Sequence, residues 1–201
     1  MQCQKCQHSA IEGIRQHLCQ SCFSLLAERL VGKELREYNL IKKGGVYAVE
    51  NDLCLFVFKA VIKGMPTTLL NSSGKNSSEN MNIPLGAIRV LCWTLDDEIA
   101  SLYSDILSGK ETLHLGQANA GANNESNTGA SAETNKGDIK LFLPLTDKEL
   151  SIYAEAKGFT FTPKPKGKIK AMLDRIEEKH PETRFSVAAS AKELAKIIEK
   201  K

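Results

Sequence analysis

The chain has 201 residues, of which 42% are hydrophobic and 25% are charged, and its formal net charge is +3. This length suffices for one medium-sized domain with a real core plus a small module. It contains no run of about 18 apolar residues, so we expect a cytoplasmic protein with no membrane-spanning segment. From Thr160 onward the sequence contains eleven Lys and Arg and six Asp and Glu, a net charge of +5. The rest of the chain therefore has a net charge of −2. A basic C-terminal third fits a polyanionic partner, and a solvated helical surface explains it equally well.

Two Cys-x-x-Cys pairs open the chain, Cys3 with Cys6 and Cys19 with Cys22. Four thiolates at this spacing form the tetrahedral cage that zinc prefers. Because protein ligands fill all four positions, such a site is structural and leaves no position for a substrate or an activated water. We therefore predict a small N-terminal zinc finger with these four cysteines as ligands.

Other readings of the cysteines remain open. An iron–sulfur cluster uses the same ligand type. A disulfide framework needs an oxidising compartment, and no apolar signal segment precedes the first pair. His8 or His17 could each replace one sulfur, although the four cysteines already complete the shell. Cys54 and Cys92 sit inside apolar runs, which predicts buried core cysteines.

The pattern of apolar residues in the first half of the chain predicts alternating helices and strands. Apolar residues recur at helical spacing in 23–38, and a short buried strand is expected at 46–49. Residues 53–63 read as a buried helix that ends at a glycine and a proline. A strand at 88–93 precedes a helix capped by Thr94, whose first turn is acidic and complements the helix dipole.

The second half follows the same alternation around two polar segments. We expect a loop at 71–82 and a disordered insertion at 116–138, which contains no aliphatic residue larger than Ala and no aromatic residue. A strand is predicted at 139–143, and a helix with a Thr146–Glu149 capping box follows it and stops before Gly158. Two more helices are predicted, at 168–178 and 191–200. This order indicates an α/β core with parallel strands.

Four separated segments resemble one family, the tRNA 2-thiolation proteins, which are PP-loop ATP pyrophosphatase relatives that put sulfur on uridine. The segments are Cys3-x-x-Cys6…Cys19-Gln-Ser-Cys22-Phe23, Lys43-Gly44-Gly45-Val46-Tyr47-Ala48-Val49, Leu95-Asp96-Asp97-Glu98, and Leu143-Pro144-Leu145-x3-Glu149-x3-Tyr153-Ala154-x2-Lys157-Gly158 with His180-Pro181-Glu182-Thr183-Arg184-Phe185-Ser186. The resemblance implies a reduced PP-loop (HUP/Rossmann-like) parallel-sheet core. It divides the chain into a zinc finger (1–24), a degenerate core (25–115), the insertion (116–138), and the rest of the core with a basic helical region (139–201).

The turn after the first strand departs from the family. An active PP-loop reads Ser-Gly-Gly-x-Asp-Ser, because glycines let backbone N–H groups close around the phosphates. Here the turn is Glu50-Asn51-Asp52-Leu53, which has no glycine and brings a carboxylate to the place of a phosphate. The resemblance therefore implies no catalytic residue and a degenerate nucleotide site, made of Glu50, Asn51, Asp52, Asp96 and Asp97.

Other family features are also missing. A cysteine pair expected within 71–84, a cysteine after the Tyr153 helix and a second, C-terminal zinc finger do not occur in this sequence. These losses all concern the chemistry, and they are typical of the family's non-catalytic partner subunit. The resemblance thus implies a heteromer with a catalytic paralogue and a role in presenting tRNA for wobble-uridine thiolation.

The run of alternating lysines that follows Pro163 suits phosphate contacts, and an exposed connector explains it equally well. The residues expected to contact tRNA are Lys164, Lys166, Lys168, Lys170 and Arg175. Two other functions stay open: a stand-alone zinc-finger RNA-binding or regulatory protein, and an active adenylating tRNA sulfurtransferase. In the latter, Asp52, Asp96, Asp97 and Cys92 would carry the metal or sulfur chemistry.

Overall fold

The computed structural model describes residues 1–12, 14, 16–71, 84, 86–109, 137–165 and 167–198. Almost all of the predicted loop at 71–82 and of the predicted insertion at 116–138 lies outside these residues. The described elements are α1 (Gln20–Glu37), β1 (Val46–Val49), α2 (Asp52–Val61), β2 (Thr68–Asn71), β3 (Ile88–Thr94), α3 (Leu95–Leu107), β4 (Ile139–Phe142), α4 (Asp147–Ala156), α5 (Lys168–Lys179) and α6 (Thr183–Ile198).

The four strands form one sheet in the order β2-β1-β3-β4. Strand β1 runs parallel to both of its neighbours, so that Tyr47 pairs with Leu69 on one side and with Ile88 on the other. Parallel neighbours require a crossover connection, and α2 supplies the one between β1 and β2. The predicted α/β core with parallel strands is confirmed.

Two elements differ from the sequence prediction. Strand β2 was not predicted, because its four residues lie at the sheet edge, where half-exposed positions leave no buried apolar run to recognise. Helix α6 begins at Thr183 and not at 191. Its first turns contain β-branched residues and serines, which are weak helix formers, but Phe185 and Val187 pack against a buried cluster. Tertiary packing outweighs local propensity there.

The chain divides into two compact units, each built from separate stretches. Unit 1 consists of Met1–Leu30, Trp93–Gly116 and Phe142–Lys201, and unit 2 consists of Val31–Cys92 and Gln117–Leu141. The domain boundaries inferred from the sequence follow the chain linearly, and they stay predictions.

Unit 2 buries its strands. Tyr47 and Val49 of β1 and Val90 of β3 are fully enclosed, and the ring of Tyr47 lies 5.1 Å from that of Phe58 in α2. Cys54 and Cys92 are buried, as their apolar surroundings predict.

Unit 1 is held by helix packing. Leu95 and Ile99 of α3 meet Leu173 of α5 in a buried cluster. Helix α4 begins with the predicted Thr146 capping box and ends before Gly158, whose φ of +76° is the left-handed conformation that terminates helices. None of the described helices is both long and apolar enough to cross a membrane.

Candidate functional site

The four predicted metal ligands come together in unit 1. The Sγ atoms of Cys3, Cys6, Cys19 and Cys22 all lie within 4.8 Å of one another. The Sγ of Cys6 is 3.3 Å from that of Cys19 and 3.5 Å from that of Cys22. On a tetrahedral ion with metal–sulfur bonds of about 2.3 Å, the sulfurs would stand about 3.8 Å apart. The four thiols therefore fit one metal ion.

The first cysteine pair lies in a tight hairpin. Cys3 N–H donates to the His8 carbonyl at 2.7 Å, and Gln7 adopts φ of +63° to close the turn. The backbone N–H of Lys5 points at Cys3 Sγ from 3.4 Å, which favours the thiolate form of that ligand. The Nδ1 atom of His8 lies 3.3 Å from Cys6 Sγ, so this histidine stands beside the group of four thiols and does not replace any of them.

The second pair lies where α1 begins. Cys19 directly precedes the helix and Cys22 sits in its first turn. The positive end of a helix dipole favours thiolates, so this position suits metal ligands. The loops that carry the two pairs are joined through backbone hydrogen bonds, from Gln4 N–H to the His17 carbonyl at 2.9 Å and from Ile11 N–H to the Leu18 carbonyl at 2.8 Å.

The four neighbouring thiols oppose one another's ionisation. Burial opposes ionisation of Cys3, but backbone N–H groups, led by that of Cys19, outweigh it and lower the pKa of the thiol to about 6. The neighbouring thiols of Cys6 and Cys19 raise the pKa of Cys22 to about 12. Each thiolate therefore disfavours ionisation of the thiols beside it, and the positive charge of a bound metal ion offsets this repulsion.

The turn after β1, in unit 2, is closed by its own side chains. Asn51 has an extended backbone and its Oδ1 accepts a hydrogen bond from Cys54 N–H at 2.9 Å, which caps α2. The carboxylate of Glu50 accepts from the backbone N–H of Cys92. Asp52 accepts from the side-chain amide of Asn71 at 2.8 Å. Burial, together with the adjacent Cys92, raises the pKa of Cys54, so this thiol stays protonated at neutral pH.

Asp96 and Asp97, in unit 1, belong to a buried ion-pair network. Asp96 Oδ2 accepts from the backbone N–H of Asp147 at 2.6 Å, and its Oδ1 pairs with the guanidinium of Arg184. Burial raises the pKa of Asp96. Asp97 forms a capping box with Thr94 at the start of α3. Both carboxylates are thus engaged within unit 1.

Two cations extend this network across α5 and α6. Lys170 Nζ lies 2.7 Å from Asp97 Oδ1 and 2.9 Å from Asp147 Oδ2, with only 6% of its side chain exposed. Burial alone would lower the pKa of Lys170, but the two carboxylates outweigh it and raise that pKa. Arg184 also pairs with Asp174 and with Glu177 of α5. The network therefore ties the N-termini of α3 and α4 to α5 and α6.

The cations predicted to contact tRNA fall into different environments. Lys170 is buried in the network. Lys164 lies 3.1 Å from Asp97 and places its ammonium 4.0 Å above the ring centre of Trp93. Lys168 and Arg175 are exposed on α5. Lys166 lies outside the described residues.

A groove of about 840 Å³ runs along this part of unit 1. Most of the charged side chains along it are acidic, among them Asp147, Glu178 and Glu182, and the ammonium of Lys170 is already paired. An excess of carboxylates repels the phosphates of a nucleotide.

The Tyr-Ala-x-x-Lys segment of α4 contacts α1. Tyr153 donates its hydroxyl to Glu28 Oε1 of α1 at 3.1 Å, and Lys157 pairs with the same oxygen at 2.9 Å. Burial and the Glu28 carboxylate raise the pKa of Tyr153. The Tyr-Ala-x-x-Lys segment thus ties α4 to α1, a role that the sequence could not reveal because Glu28 is far away along the chain.

No protein-family model matches the sequence, and no curated protein matches it. Among solved structures, the chain is similar to the U34-tRNA thiolase NcsA from Methanococcus maripaludis with its [4Fe-4S] cluster, at a TM-score of 0.61 and 14% identity. The match covers 98% of this chain and 87% of that chain. At this identity the likeness shows the fold alone, and the predicted α/β parallel-sheet core with an N-terminal cysteine module is confirmed.

Proposed function

We propose that this chain is a non-catalytic subunit that supports 2-thiolation of the tRNA wobble uridine in the cytoplasm, paired with an active PP-loop sulfurtransferase. One observation carries this proposal. The chain has the fold of a tRNA thiolase, but in the turn after β1 the Asn51 amide and the Glu50 carboxylate accept the hydrogen bonds of nearby backbone N–H groups.

The physical argument concerns the N–H groups at the start of α2. A helix N-terminus binds phosphate because its first N–H groups lack partners inside the helix. Here Asn51 Oδ1 takes the N–H of Cys54, and Asp52 adds a negative charge in the first turn. A nucleotide phosphate would have to displace the cap and approach two carboxylates, those of Glu50 and Asp52. Adenylation of the uridine would therefore be the task of the partner.

We also propose that the four cysteines hold zinc. A four-iron cluster places a different iron beneath each cysteine, so its ligand sulfurs stand farther apart than those around one ion. Sulfurs that all lie within 4.8 Å of one another favour a single ion. The [4Fe-4S] cluster is a property of the similar thiolase. Bound at these thiolates, the metal would crosslink the hairpin of Cys3 and Cys6 to the start of α1.

The test has two arms. The tagged protein is purified from its native cytosol, and co-eluting proteins are identified by mass spectrometry. We expect near-stoichiometric recovery of a sulfurtransferase with an intact PP-loop. RNA without that enzyme would instead support the stand-alone RNA-binding function.

The second arm measures 2-thiouridine in tRNA after depletion of this chain. We expect the level to fall and to recover with the wild-type chain and equally with Asp52→Asn or Glu50→Gln. ATP turnover by the purified chain that Asp52→Asn abolishes would overturn the non-catalytic assignment and support the active sulfurtransferase.

A further inference from the structure

Helix α5 separates its charges by face. Lys168, Arg175 and Lys179 lie at intervals of seven and four residues, which places them within an arc of about 40° at 100° per residue. Asp174 and Glu177 point to another side, where both pair with Arg184. The side of α5 that carries Asp174 and Glu177 also carries Lys170, and these three side chains serve the internal network. Lys168, Arg175 and Lys179 lie on another side of the helix and are exposed.

Among the residues that the structure describes, the three cations on that side differ from the neighbouring lysines in having no acidic partner. Lys164 and Lys170 each pair with Asp97. Lys168, Arg175 and Lys179 are exposed, and within the described part of the chain they form no salt bridge. Unneutralised cations aligned on one helix face create a local positive field that attracts polyanions.

The same face carries a shallow depression with a mixed lining. Arg175, Lys179 and His180 border a hollow of about 470 Å³ together with Met172 and Ile176. These two apolar side chains remain 41% and 37% exposed. A surface of this kind can contact phosphate oxygens through its cations and the apolar faces of ribose through its methionine and isoleucine.

We infer that this α5 basic face, defined by Lys168, Met172, Arg175, Ile176 and Lys179, docks the sugar–phosphate backbone of RNA. The cations span roughly 16 Å along the helix axis, enough for several consecutive phosphates. Backbone contacts position an RNA without reading its sequence. The inference rests on the proposed function only in taking tRNA as the RNA that is bound.

The experiment measures binding of an unmodified tRNA transcript to the full chain by fluorescence anisotropy over a range of salt concentrations. The variant is Arg175→Gln with Lys179→Gln. The matched control is Lys59→Gln with Lys63→Gln, which removes the same charge from exposed positions in unit 2. We expect the α5 variant to bind tRNA several-fold more weakly. The negative slope of log K against log salt should become less steep by about 2, because each lost phosphate contact reduces its magnitude by about 1. The control should change neither quantity.

Because the substituted side chains are exposed, the variant should unfold at the wild-type temperature, and a separate melting curve checks this. An unchanged affinity and slope would overturn the inference. If tRNA affinity is retained but the co-purifying sulfurtransferase is lost, the face binds an acidic protein surface, and the inference fails while the proposed function stands. Conversely, the α5 variant could bind tRNA more weakly although the wild-type chain recruits no sulfurtransferase. That result would support the RNA-binding face and contradict the proposed function.

Discussion

Thr94 Oγ1 donates a hydrogen bond of 2.6 Å to Asp147 Oδ1, which joins the N-cap of α3 to the first turn of α4. Asp147 in turn donates its backbone N–H to Asp96 Oδ2 at 2.6 Å. A side chain of α3 therefore accepts the first N–H of α4, and a side chain of α4 accepts the hydroxyl of the α3 cap. The carboxylates stand where an external anion would bind. The acidic segment of α3 is thereby explained without a nucleotide.

Removal of Lys170 should destabilise the protein strongly. The variant Lys170→Met keeps the volume but removes this counter-charge from the buried carboxylate of Asp97 and from the partly buried carboxylate of Asp147. Loss of one partner of a buried ion pair costs about 3 kcal/mol, which we expect as a lower free energy of unfolding in urea. The control Lys168→Met lies on the exposed face of the same helix and should stay within about 0.5 kcal/mol of the wild type. Equal stability of the two variants would contradict the network.

The contribution of Lys170 should also depend on pH. Its pKa in the folded state lies above the unfolded value of about 10.4, owing to the two carboxylates. The charged form is thus stabilised by folding, so the contribution is complete below the unfolded pKa and is lost as the pH rises through the folded pKa. The difference in unfolding free energy between the wild type and Lys170→Met should be constant near neutral pH and shrink in the alkaline range. A difference that grows with pH would mean that Lys170 is not held by carboxylates.

Some of this site could be predicted from the sequence and some could not, for a physical reason. The four cysteines and the caps of α3 and α4 depend on residues close together in the chain, so local spacing revealed them. The pairing of Asp96 with Arg184 joins residues 88 positions apart. Local pattern carries no information on such a contact. For the same reason Lys170 reads as part of an exposed basic run in the sequence, whereas the fold buries it.

The cap of α2 offers a test of the proposal that the turn after β1 no longer binds phosphate. Replacement of Asn51 by Ala removes the acceptor for Cys54 N–H and should cost about 1 kcal/mol of stability. Asn51→Ser, which can restore a capping oxygen, should recover most of this loss. ATP should raise the melting temperature of none of these proteins, because all of them keep the carboxylates of Glu50 and Asp52 at the turn, and these repel a phosphate. A rise with ATP in the wild type that is absent in Asn51→Ala would show that the turn still binds nucleotide.

The metal centre yields the prediction with the largest expected effect. Structural zinc sites contribute roughly 10–16 kcal/mol of apparent binding free energy to the folding of the segments that they join. Chelation should therefore unfold the N-terminal module, and Cys19→Ser should lower the metal content below one ion per chain. Cys54→Ala is the matched control, because that cysteine is buried in unit 2 and is not one of the four clustered thiols, so it should leave the metal content at one.

Elemental analysis of protein purified without oxygen identifies the metal itself. One zinc per chain with no visible absorption agrees with sulfurs that all lie within 4.8 Å of one another. About four irons with the broad visible absorption of an iron–sulfur cluster would contradict the single-ion site and would require the four sulfurs to move apart. Retention of full helicity and full metal content in Cys19→Ser would contradict a structural role for the cysteines. Loss of one of the four ligands of a tetrahedral site should weaken metal binding and the folding that depends on it.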